Sequence, residues 1–159
     1  MRSIKGQILS LILCTLIPCI AHAQGTKQGT MVGNWKLNVA KSDFGDGPKL
    51  QSMLVNVTSD APDSIVFSVT ETAESGMTFT YKYKGAADGK DYPADGTSTT
   101  YAYTEEGGVV AETQKDTDGT ITKGTFTLSP NGKVGTWIYT ITDPQGGVIH
   151  TKLVYDRVQ

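Results

Sequence analysis

Cysteine is nearly missing from this 159-residue chain: the two present, Cys14 and Cys19, both lie within its first 20 residues. The rest of the chain has no thiol to act as a nucleophile and no pair to form a disulfide. Histidine is as scarce, with His22 near the start and His150 near the end. That leaves no His/Cys set for a zinc site and no partner for a Ser-His-Asp or Cys-His system. The formal net charge is only −2, so nothing in the electrostatics seeks nucleic acid or an anionic lipid surface. No apolar run reaches the roughly 20 residues of a membrane-spanning helix. Beyond the first segment, no stretch carries a long 3.6-residue apolar period, which excludes a helical bundle.

The first segment reads as a targeting signal. "MRSIKGQ" supplies Arg2 and Lys5, "ILSLILCTLIPCI" is a short apolar core, and "AHA" places small residues at Ala21 and Ala23. This order predicts a secretory signal peptide over 1–23, cleaved after Ala23. A lipoprotein anchored through Cys19 is the alternative, but a lipobox wants a small residue before the cysteine and Pro18 stands there. Cleavage removes both cysteines and His22, and losing Arg2 and Lys5 shifts the formal charge from −2 to −4. The expected protein is periplasmic or secreted. It has a flexible N-terminus over 24–31 and one domain over 32–159, a length that suits a single core.

What is abundant is turn and strand chemistry. "DG" occurs at 46–47, 88–89, 95–96 and 118–119, "GG" at 107–108 and 146–147, and "NG" at 131–132. These pairs favour tight hairpin turns. Between most of them lie short segments rich in Val, Ile, Thr and Tyr, which predict strands near 32–39, 50–58, 64–72, 77–84, 98–105, 108–116, 120–129, 134–142 and 148–156. "NVAKSDF" suits one helical turn, and "AADGKDYPADG" reads as the longest loop. In "TITKGTFTLS" the apolar phase moves between Ile121 and Phe126, which points to a bulge near Gly124.

Alternation sets the faces. Met77, Phe79, Tyr81 and Tyr83 fall on one side of their strand, opposite Thr78, Thr80, Lys82 and Lys84. Tyr101 and Tyr103 repeat the pattern, as do Trp137 and Tyr139. These eight aromatic and apolar residues are the expected ligand-binding set. The predicted class is all-β: one antiparallel up-and-down barrel of about 8–10 strands, closed because closure removes sheet edges. Its first strand should pair with its last, near Val148 to Asp156.

The stretch "GNWKLNVAKSDF" starts that first strand with Gly33 and Trp35. A G-x-W there resembles the lipocalins. The motifs "W-K-L-N-x-A-K-S-x-F", from Trp35 to Phe44, and "D-G-K-D-Y-P", from Asp88 to Pro93, resemble more closely a group of exported bacterial lipocalin-like proteins. The resemblance implies a barrel floored by Trp35, with Arg157 over the indole. The chain departs from typical lipocalins in lacking a helix after the barrel and disulfides. It also has too few residues after strand one for the helical pair of fatty-acid-binding proteins. Because the resemblance is bacterial, no glycan is expected on Asn56 of "NVT".

Other candidates have simpler readings. His150 shares its strand face with Val148, Lys152 and Val154, the less apolar side, and should point outward. Asp88, Asp91 and Asp95 lack the spacing of a calcium loop and suit turn chemistry. Lys41 and Ser42 suit a cap and solvated turn, with a polar anchor at the barrel mouth as the alternative. No metal and no cofactor is expected. The function that follows is an exported, non-enzymatic carrier of a small hydrophobic or amphipathic ligand. Tyr81 and Tyr101 are its expected hydrogen-bond partners. A packed barrel acting as a structural or protein-interaction/inhibitor module of the cell envelope is the alternative. The sequence leaves open whether the rings fill the interior or line it.

Overall fold

The computed structural model describes residues 30–107 and 109–158. The expected leader, its cleavage site after Ala23 and the segment 24–29 lie outside the described residues. The described chain forms ten strands: β1 (Gly33–Leu37), β2 (Leu50–Ala61), β3 (Ser64–Ala73), β4 (Thr78–Gly85), β5 (Tyr92–Asp95), β6 (Thr100–Glu106), β7 (Val109–Lys115), β8 (Ile121–Leu128), β9 (Val134–Thr142) and β10 (Val148–Val158). Each strand pairs antiparallel with its chain neighbours, and β1 closes the barrel against β10. The closing register sets Trp35 opposite Arg157 and Leu37 opposite Tyr155. The expected up-and-down barrel and its first-to-last pairing are therefore what the chain forms.

Two strand readings change. "AADGKDYPADG" is not all loop, because β5 lies inside it. This strand has only two paired positions with β4 and two with β6, a short ladder in which the missing N–H of Pro93 is tolerated. There is also no bulge at Gly124. The β8 register runs unbroken through it on both sides, with Gly124 opposite Glu112 and Tyr139. The shift in apolar phase arises because Ile121 faces solvent while Thr122, Gly124 and Phe126 point inward. Gly124 is there for space: a Cβ would sit 2.3 Å from the Tyr139 ring. The register shifts instead in β2, between Leu50 and Ser52 and between Val57 and Ser59.

The expected helical turn is a 3-10 turn at Val39–Lys41, and the Asn38 side chain accepts from the Lys41 N–H at 3.1 Å. The Ser42 hydroxyl donates to the Asn38 carbonyl at 2.8 Å and accepts from the Val154 N–H at 2.9 Å. Lys41 pairs with Asp156 at 3.5 Å in solvent. These two residues cap the turn and tie it to β10, and neither lines the interior.

One barrel end is closed by its own chain. Trp35 is buried and its indole N–H donates to the Met31 carbonyl at 2.7 Å. The Arg157 guanidinium lies 4.3 Å from the Trp35 ring centre. It also donates to the carbonyls of Gly132, Val32 and Thr30 at 2.8, 2.7 and 2.5 Å. The Met31 N–H and the Thr30 hydroxyl both donate to Asp60 at the end of β2. Two clusters of buried residues meet inside. One gathers around Tyr83, Tyr101, Tyr103, Ile65 and Phe126, the other around Trp35, Leu37, Met53, Val69 and Tyr155. At the other end the segment after the 3-10 turn folds against β10, where Asp43 and Lys152 exchange backbone hydrogen bonds at 2.7 and 2.8 Å.

Candidate functional site

The barrel is not packed solid. A cavity of about 440 Å³ runs through its interior from Met31 and Trp35 at the floor to Phe44 and Pro48 at the far end. That volume falls within the roughly 300–1,000 Å³ of small-molecule sites. The β2–β3 wall is mostly apolar, formed by Met53, Val55, Val57, Phe67 and Val69, and also carries the Glu71 carboxyl. The opposite wall is aromatic and polar, and its geometry follows from strand register. The β6–β7 hairpin, stepping outward from the Glu106–Val109 pair, sets Tyr103 opposite Glu112 and Tyr101 opposite Gln114. Cross-strand partners share a face, so all four side chains enter the barrel.

Glu112 is the centre of this wall. It is 5% exposed. The Tyr103 hydroxyl donates to one of its carboxylate oxygens and the Gln114 amide to the other. Tyr139 adds a third hydrogen bond from β9. Burial raises the Glu112 carboxyl above its ordinary range, and these three donors offset part of that rise. Burial likewise raises the Tyr103 and Tyr139 hydroxyls, which therefore remain protonated donors. Tyr81 and Tyr101 stack at 6.0 Å and 18°, and their hydroxyls share a hydrogen bond. Trp137 and Tyr139 stack at 5.2 Å and 9°. The Tyr155 hydroxyl, on β10, reaches the Met53 sulfur at 3.0 Å.

Of the eight residues expected to meet ligand, Tyr81, Tyr101, Tyr103, Trp137 and Tyr139 line this cavity. Three do not. Tyr83 is packed into the buried cluster beside the other tyrosines, 1% exposed and stacked on Phe67 at 5.0 Å. Phe79 has the inward phase, opposite Glu71 of β3, yet is half exposed. The reason is the short β5, whose ladder with β4 reaches only Lys82 and Tyr83 and leaves the first half of β4 uncovered on that side. Met77 precedes β4, in the turn closed by the Ala73 N–H to Met77 carbonyl bond, and is 59% exposed. Sequence reading missed Glu71, Glu112, Gln114 and Asp116, all of which line the cavity. The signal for Glu112 was hairpin arithmetic around the Gly107–Gly108 dipeptide, which pairs it with an inward tyrosine.

His150 is exposed on the outer face, 3.2 Å from the Thr140 hydroxyl. Asp88 accepts from the Lys90 N–H at 3.1 Å, from the Lys90 ammonium at 2.8 Å and from the Tyr92 hydroxyl at 3.1 Å. Asp91 pairs with Lys115 at 2.6 Å. The carboxylates of Asp88 and Asp91 are thus engaged in turn and surface contacts.

No family model and no curated protein matches this sequence. Solved structures do match the fold. A secretory abundant heat soluble protein from Ramazzottius varieornatus superposes with a TM-score of 0.55 at 11% identity, over 83% of this chain and 98% of that one. A protein described as the REP1-NXSQ fatty acid transporter superposes with a TM-score of 0.51 at 14% identity, over 80% of this chain and 96% of that one. At such identities the likeness is one of fold: this chain is a β-barrel of the kind found in these two proteins.

Proposed function

We propose that this protein is an exported, non-enzymatic carrier that encloses one small, mostly apolar ligand within its barrel. The observation that carries this reading is the cavity of about 440 Å³, walled by aliphatic and aromatic side chains with a few convergent polar groups. That mixture is what orients a small ligand in a largely apolar site. The likeness to a fatty acid transporter lends support at the level of fold. Export rests on the basic, apolar and small-residue order of the first 23 residues. The short motifs at Trp35 to Phe44 and Asp88 to Pro93 resemble those of exported bacterial lipocalin-like proteins, which agrees with that reading.

The test is a titration with N-phenylnaphthylamine, a neutral dye that brightens in apolar surroundings, while the fluorescence of Trp35 and Trp137 is followed. Saturable binding at one site per chain is expected. Val69→Phe, which adds bulk beside the cavity, should abolish it while leaving the circular dichroism of the barrel intact. Absence of binding by the folded protein would favour a structural or protein-interaction module instead.

A further inference from the structure

The cavity has charges of one sign only. Glu71, Glu112 and Asp116 line it, and no Lys, Arg or His does among the described residues. Glu112 is the deepest placed of these, on the middle of β7. Its three partners, Tyr103, Gln114 and Tyr139, are all neutral. They occupy three of the roughly four acceptor positions of a carboxylate. One lone-pair direction is left over, and the negative charge has no counter-charge beside it in the cavity wall. A buried charge in that condition is costly until a partner of opposite sign arrives.

The rings around it fit the same partner. Tyr103, Tyr139 and the stacked Trp137 form the wall beside Glu112. Aromatic faces attract a cation through their quadrupole and are the usual lining of ammonium sites. A carboxylate ligand would instead bring a second negative charge beside a buried acid, with no base in the wall to hold it. A neutral alcohol could hydrogen-bond but would leave the charge uncompensated.

We propose that the ligand of this cavity is a cationic amphiphile, a protonated amine or quaternary ammonium whose head group sits against Glu112 and the Tyr103, Trp137 and Tyr139 rings. Its apolar body lies along the β2–β3 wall of Met53, Val55 and Val69. This rests on the carrier reading above and adds to it the sign of the head group.

The experiment compares four compounds with one shared chain: dodecylamine, dodecyltrimethylammonium, dodecanol and dodecanoate. Each displaces N-phenylnaphthylamine below its micelle concentration at neutral pH. The two cations should bind roughly ten- to a hundredfold more tightly than dodecanoate, the worth of one charge-assisted contact. Glu112→Gln should erase that preference, with the two cations then binding no more tightly than dodecanoate. Dodecanoate binding as tightly as the amine would overturn the proposal. So would a cation preference that survives in Glu112→Gln. Dodecanol binding without any cation preference would remove the head-group assignment and keep the carrier. Failure of all four to bind would remove both. The head-group series is read on the unmodified protein, so it decides the matter even if the variant does not fold.

Discussion

Glu112 stands directly opposite Tyr103 across the β6–β7 ladder, and the tyrosine hydroxyl donates to its carboxylate inside the barrel. A buried acid held by neutral donors is a source of instability that ligand binding can relieve.

The first prediction concerns pH. Burial raises the folded-state Glu112 pKa above its ordinary 4.5. An acid raised in this way binds its proton more tightly folded than unfolded. Its favourable contribution is complete below the unfolded value and is lost as pH rises through the folded one. Each pKa unit of elevation costs about 1.4 kcal/mol at neutral pH. Glu112→Gln should therefore raise the ligand-free melting temperature at pH 7, with the gap to the unmodified protein closing toward pH 4. Paired thermal melts across that range check it. Taking the difference cancels Asp88 and Asp118, whose depressed pKa values act in the opposite direction.

A second prediction concerns the barrel floor. Arg157 binds three backbone carbonyls and covers the Trp35 ring. Arg157→Ala should cost roughly 1–3 kcal/mol, from partly exposed hydrogen bonds plus a cation–π contact. Arg157→Lys should recover only part, because an ammonium cannot reach three divergent carbonyls with the guanidinium's geometry. Urea midpoints at constant slope measure both.

Gly124 provides the third. Its missing Cβ is what lets the Tyr139 ring lie against β8. Gly124→Ala should destabilise the fold by roughly 1–3 kcal/mol through overpacking. It should also weaken dye binding, because the displaced ring moves into the cavity. Chemical denaturation and the dye titration report the two effects separately.

The barrel was legible in the sequence because strand alternation and Gly-containing turns are local signals. Tyr81, Tyr101, Tyr103, Trp137 and Tyr139 were legible for the same reason. Met77 and Phe79 were misplaced because alternation gives direction but not depth. Whether an inward side chain is covered depends on how far β5 extends beside β4, and β5 is a four-residue strand around a proline. Glu112 escaped notice because neither face of "VVAETQK" is apolar throughout. Its direction is set by pairing with β6, a property of the hairpin rather than of the strand.

The most direct measurement is a crystal structure of the protein with dodecylamine bound. The account predicts density for one chain inside the barrel between the β2–β3 wall and Trp137, with the nitrogen about 3 Å from a Glu112 carboxylate oxygen. A filled interior with no ligand, or an amine bound only on the outer surface, would contradict it.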